Sequence, residues 1–134
     1  MSGAGEVSGP MVGIVLVSHS AGLAEAAAAM AAQICGGEVT VAAAGGDEDG
    51  GLGTSADRIA AAIEKADRGG GVVLIPDIGS SVLTARLMEE HGSVVVADAP
   101  FVEGAVAAAA TAGGGAALAD VLAAAEEARD FRKL

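Results

Sequence analysis

Four short apolar runs, rich in β-branched residues, alternate along the chain with longer alanine-rich stretches. The short runs are Val12 to Val17, Val39 to Ala43, Val72 to Ile75 and Val94 to Ala97. Each is nearly continuous rather than alternating apolar with polar, the pattern of a strand buried on both faces. The remaining stretches predict helices over Gly22 to Ile34, Ser55 to Ala66, Val82 to Glu90, Glu103 to Ala112 and Leu118 to Arg129. Ile59 and Ile63 stand four apart on one helix face, while Arg58, Glu64 and Lys65 fall elsewhere. Thr54 or Ser55 can cap that helix, and Asp57 suits its positive end. The glycines Gly69 to Gly71 stop it. Ser80 or Ser81 can cap the next. Strand and helix in this order predict an α/β fold: an open, mainly parallel four-stranded sheet with helices on both faces.

The length of 134 residues suits one domain. Residues 1–10, MSGAGEVSGP, read as a flexible tail, and residues 11–134 as the domain. Aromatic residues are limited to Phe101 and Phe131, so the core depends on small side chains that each remove little area from water. Such a core gains from a subunit interface, and a homodimer is expected. The single cysteine, Cys35, allows no disulfide within the chain, which fits a reducing cytoplasm. It reads as a small core residue rather than a reactive thiol.

A net charge of -11, from seven basic and eighteen acidic residues, opposes binding to nucleic acid and to anionic lipid. A basic partner protein would instead be steered toward this surface. The apolar runs are too short to span a bilayer, and no secretory signal is legible at the start. Two histidines and one cysteine are too few for a zinc site.

In an open parallel sheet, ligands bind beyond the carboxyl ends of the strands. There the sequence places Ser18-His19-Ser20, a glycine-rich loop from Gly45 to Thr54, Asp77-Ile78-Gly79-Ser80-Ser81, and Asp98-Ala99-Pro100. His19 is the focal residue, because a neutral imidazole is a nucleophile near pH 7. A carboxylate accepting a bond from Nδ1–H would leave Nε2 free to attack phosphorus, and Asp77 is the best-placed candidate, since the third strand should lie beside the first. Gly79, Ser80 and Ser81 open a helix, whose N-terminal N–H groups favour phosphate; the plainer alternative is an ordinary cap. His19 itself has a plain alternative, a strand-end histidine bonded to a loop carbonyl.

The glycine-rich loop has no Gly-Lys-Ser/Thr ending, and no G-x-G-x-x-G follows the first strand, which argues against direct nucleotide binding. Asp47-Glu48-Asp49-Gly50 lacks the spacing of a calcium loop and reads as a solvated acidic turn. No G-x-S-x-G elbow supports a serine hydrolase. His91, beside Glu89 and Glu90 at a helix end, reads as a dipole partner without catalytic use.

The run Met11 to Glu25, MVGIVLVSHSAGLAE, resembles the start of the phosphotransferase subunits (DhaM) of phosphoenolpyruvate-dependent dihydroxyacetone kinases. Gly53-Thr54, Asp77 to Ser81 and Ala99 to Gly104 resemble later motifs of that family in the same order. The resemblance extends to the mannose-type IIA domains of the sugar phosphotransferase system. It implies a dimeric, parallel four-stranded domain whose histidine, here His19, takes a phosphoryl group from HPr. It further implies delivery to ADP on the nucleotide-binding subunit of the kinase, with no cofactor or metal held by this chain. By position, Asp77 would orient the ring, Gly79, Ser80 and Ser81 would contact phosphate, Thr54 would lie near the same edge, and Glu103-Gly104 would be structural. Some relatives carry HPr-like and enzyme I-like domains that this sequence lacks, so a separate HPr is expected. Asp77 to Ser81 lacks the aromatic residue and Gly-Gly-Ser-Pro run of the mannose-transport branch, which favours the kinase branch. The alternatives are a sugar-transport IIA domain serving a IIB protein and a flavodoxin-like regulatory module with an incidental histidine.

Overall fold

The computed structural model describes residues 10–90 and 92–134. The expected tail, apart from Pro10, and the reading of His91 lie outside the described residues. Four strands, β1 (Gly13–Ser18), β2 (Val41–Gly45), β3 (Val72–Pro76) and β4 (Val94–Val96), form one parallel sheet in the order β2-β1-β3-β4. Five helices, α1 (Ala21–Ile34), α2 (Ala56–Ala66), α3 (Gly79–Arg86), α4 (Phe101–Gly113) and α5 (Leu118–Glu127), cover it, and a 3₁₀ turn follows at Ala128–Asp130. This is the open α/β sandwich that the sequence pattern predicts.

The central strands alternate their side chains between two apolar layers. Ile14, Leu16, Val73 and Ile75 face the side packed by α1, α4 and α5, where Ala28, Ala31, Ala105, Ala109, Val121 and Ala125 are buried. Val15, Val17, Val72 and Leu74 face α2 and α3, against Ile59, Ala62, Ala66 and Ala85. Continuous apolar strands are thus required, because neither face of β1 or β3 meets water. The chain moves from β1 to β2 in one direction and from β2 past β1 to β3 and β4 in the other. Right-handed crossovers then put α1 on one face and α2 and α3 on the opposite one.

Most element boundaries fall within two residues of the sequence expectation, and two differences are informative. The ladder of β2 begins at Val41, paired with Ile14, although Val39 is already buried against the α1 layer. Burial alone marks the apolar residue, whereas pairing marks the strand. Helix α3 spans Gly79–Arg86 rather than Val82 to Glu90. Tight bonds from Leu87 N to Thr84 O and from Met88 N to Ala85 O close it early. The chain then folds back, and Glu90 and Val94 exchange two 3.0 Å backbone bonds. Carboxylates cover part of the β4 edge: Glu89 accepts from Val96 N at 3.3 Å and Glu126 from Asp98 N at 3.0 Å. Charge on an edge strand opposes pairing with another sheet.

Ser20 and Ser55 cap α1 and α2, accepting from Leu23 N and Arg58 N. The entry into α1 lies directly against the end of β2. A Cβ on Gly45 would fall 2.5 Å from Ser20 O and 2.8 Å from Ala21 Cα. Only glycine lets the two segments approach so closely. Gly45→Ala is therefore expected to destabilise the fold by about 1–3 kcal/mol, the usual cost of overpacking, measured as a lower urea midpoint with an unchanged slope.

Candidate functional site

Strands β1 and β3 are neighbours, yet β1 leads outward to β2 and β3 outward to β4. Their carboxyl ends therefore form the topological switch point, where connecting segments diverge and leave a crevice. His19 follows β1 and Asp77 follows β3. The register Val17↔Pro76 and the bond from Asp77 N to Val17 O, 3.0 Å, bring the two turns together.

Asp77 is the hub of this junction. Its Oδ2 accepts from Ser18 Oγ at 2.6 Å. Its Oδ1 accepts from Ile78 N at 2.7 Å, Ser81 Oγ at 2.8 Å and His19 N at 3.3 Å. Burial is the largest single influence on this carboxyl and pushes its pKa up. The bonds from Ser18, Ser81, Ile78 and His19 together outweigh burial and hold it below the ordinary value of 3.8.

The expectation that Asp77 grips the imidazole is corrected. Its oxygens are taken by two hydroxyls and two main-chain N–H groups, so it fixes the backbone of His19, while the ring meets Ser80. His19 Nδ1 lies 3.2 Å from Ser80 Oγ. The expectation that Ser80 or Ser81 caps α3 is corrected as well. Ile78 occupies the cap position without a side-chain cap bond, and both serines lie inside the first turn. Their hydroxyls turn away from the helix: Ser81, fully buried, toward Asp77, and Ser80, exposed, toward His19.

Thr54 arrives at the same place. Its Oγ1 is 3.3 Å from both Ser80 Oγ and Ser81 Oγ. The loop before it is an ordered turn. Asp47 Oδ1 accepts from Asp49 N at 2.9 Å and from Gly51 N at 2.8 Å, and Asp47 N donates to Gly51 O. Gly53, at φ +146°, then donates its N–H to His19 O at 2.9 Å. His19 is thus held by both main-chain groups, one from each flanking loop. Gly79 opens α3 at the surface, and a Cβ there would meet nothing within 4 Å, so the protein's own packing does not demand glycine.

Three contributors escaped the sequence reading. Ser18 reads as a polar residue just past the first strand with no role of its own, yet it closes β1, is completely buried and joins Asp77 to Ser20 N, which it meets at 3.0 Å. Asp47 reads as a solvated acid, and Gly53 as a family marker. Their bonds become visible only once the loop closes on β1. Conversely, Asp98 lies beyond β3 from His19 and pairs with Arg129 at 3.3 Å. Glu103 pairs with Lys133 at 2.8 Å, and Gly104 is buried with Ala99 Cβ 3.0 Å from where a Cβ would stand. Among the described residues, no group of three His, Cys, Asp or Glu side chains is arranged to hold a metal, and no helix is long and apolar enough to cross a membrane.

Residues 13–122, from the start of β1 into α5, match the family model EIIA-man, the PTS system fructose IIA component. The chain belongs to the EIIA-man family. This EIIA-man domain is 37% identical over 105 residues to a protein of Listeria innocua named phosphoryl donor subunit DhaM of PEP-dependent dihydroxyacetone kinase 2. That similarity covers 74% of the chain and 84% of the relative. A second DhaM subunit, from Providencia stuartii, is 34% identical over 127 residues, covering 88% of the chain but 27% of that longer protein. The crystal structure of EF1359, a protein of unknown function, superposes with a TM-score of 0.77 at 35% identity, covering 87% of this chain and 94% of the other.

Within this EIIA-man domain the ionised form of Asp77 is favoured by folding. Its contribution to stability is therefore complete above the ordinary aspartate range and is lost as pH falls through its depressed folded value. Asp77→Asn is expected to lower the urea midpoint near neutral pH. The gap to the unmodified protein should narrow as the pH is taken below 3.8.

Proposed function

We propose that this chain is a phosphohistidine carrier, accepting a phosphoryl group on His19 Nε2 from HPr and passing it to ADP on the nucleotide-binding subunit of dihydroxyacetone kinase. The observation that carries this reading is the placing of His19 at the switch point. Its main chain is clamped, its Nδ1 is met by Ser80, and the first turn of α3 lies alongside. In the transfer, the donor P–N bond breaks as a bond from Nε2 to phosphorus forms. The second transfer breaks that bond as a β-phosphate oxygen of ADP attacks. Chemistry of this type rests on positioning and charge stabilisation.

Gly79, Ser80 and Ser81 supply N–H groups that have no partner within their own helix, and these favour phosphate oxygens. Thr54 and the Ser80 hydroxyl complete a polar rim. Leu52, Ile78 and Leu83, on the loop, turn and helix that carry these residues, stand exposed at 73%, 52% and 71%. Apolar side chains this open beside a reactive group suit a site that meets protein surfaces rather than a small enclosed substrate. The DhaM names of the relatives favour the kinase as the acceptor over a sugar-specific IIB protein. We place the working chain in the cytoplasm as a homodimer, with no bound cofactor or metal.

Incubation with phosphoenolpyruvate, enzyme I and HPr is expected to put an acid-labile, alkali-stable label on the chain. His19→Ala should abolish it and His91→Ala should retain it; equal labelling of the two variants would refute the site. The labelled protein should lose its phosphate to ADP-loaded nucleotide subunit. Transfer to a IIB protein instead would move the reading to sugar transport. Light scattering should give the dimer mass, and a monomer mass at working concentration overturns the dimer.

A further inference from the structure

The hydroxyls around His19 form an unbroken chain: His19 Nδ1 to Ser80 Oγ at 3.2 Å, Ser80 Oγ to Thr54 Oγ1 at 3.3 Å, Thr54 Oγ1 to Ser81 Oγ at 3.3 Å, and Ser81 Oγ to Asp77 Oδ1 at 2.8 Å. Each hydroxyl has a single proton to give. Asp77 Oδ1 also receives the N–H groups of Ile78 and His19, which can only donate, so that oxygen is an acceptor. Ser81 must therefore spend its proton on Asp77, and its bond to Thr54 exists only if Thr54 donates. With that proton committed, the bond between Thr54 and Ser80 exists only if Ser80 donates. Ser80 then has only lone pairs left for the imidazole, and the last bond exists only if Nδ1 carries a hydrogen.

The geometry points to Thr54, Ser81 and Ser80 as positioning residues that transmit the polarity of Asp77 to the imidazole and fix His19 as the Nδ1–H tautomer, leaving Nε2 bare. The carboxylate sets the tautomer from three hydroxyls away, without touching the ring. Burial protects the far end of the chain, since Ser81 is fully enclosed and Asp77 half-buried. The order of donors is accordingly imposed from inside and read out at the surface, where Ser80 is exposed. Thr54 is the link on which this depends, because among the described residues it alone joins the two serines. Its place is set by the bridge between Gly46 and Thr54 and by the Asp47 turn. As a device for phosphoryl transfer, the chain rests on the carrier role proposed above; the tautomer itself does not.

The test reads the tautomer with no phosphoryl donor present. In protein labelled with ¹⁵N at histidine, at a pH where the imidazole is neutral, two-bond ¹H–¹⁵N correlation is expected to show a pyrrole-like Nδ1 and a pyridine-like Nε2 for His19. Thr54→Val, close in shape but without the hydroxyl, should move both nitrogens toward the averaged shifts of a mixture. Thr54→Ser should restore the separation. If half the population keeps the competent form, the initial rate of labelling from HPr should fall about twofold in Thr54→Val and recover in Thr54→Ser. A pyridine-like Nδ1 in the unmodified protein overturns the inference. So does an unchanged tautomer in Thr54→Val whose amide spectrum shows the native fold. Absence of labelling in the unmodified protein would sink the carrier role while leaving the tautomer result standing.

Discussion

The junction between β1 and β3 depends on one carboxylate. Asp77 accepts two main-chain N–H groups and two hydroxyls from three separate segments: the end of β1, the turn after β3 and the first turn of α3. A half-buried acceptor with that many donors is worth its desolvation only while it stays ionised and fully bonded. Removing its charge would leave Ser18, fully enclosed, and the His19 N–H with poorer partners. The constraint is therefore structural first. It fixes where the β1 turn sits relative to the start of α3, and the His19 ring inherits that position.

Small side chains make the junction possible. Gly45 lets the start of α1 touch the end of β2, and alanines on α1, α4 and α5 let helices settle close to the sheet. Close layers bring the strand ends and helix starts within hydrogen-bond reach across the crevice. The consequence is a core with few large groups, in which Ile14, Leu16, Ile59, Leu74 and Ile75 are the principal buried side chains. Stability then rests on many modest contacts rather than on a few large ones. Polar groups at the junction carry more of the order than they would in an aromatic-rich core.

The loop from Gly46 to Gly53, whose one large apolar side chain, Leu52, is exposed, illustrates how a segment that buries no large apolar group acquires a defined shape. Asp47 binds two N–H groups of its own loop and Gly53 adopts a backbone conformation that L side chains rarely take. The loop delivers two things to the site, a main-chain donor for His19 O and the hydroxyl of Thr54. Glu48 and Asp49 face solvent, so composition suggests only solubility, while Asp47 turns into the loop and sets its backbone geometry.

The sequence by itself determined the sheet, the order of strand and helix, the neighbours β1 and β3, and the gathering of His19, Asp77, Ser80, Ser81 and Thr54 at one edge. Apolar period and chain order carry that information, because burial on both faces permits little but continuous strands, and crossover handedness permits few topologies. The tertiary structure alone decided which atom meets which. Asp77 was legible as the partner of His19, but not as a partner of its backbone instead of its ring. Ser80 and Ser81 were legible as the start of a helix, but not as hydroxyls turned in different directions. Hydrogen-bond partners depend on differences of about one ångström and on lone pairs already taken by neighbours, and no spacing along a chain encodes those.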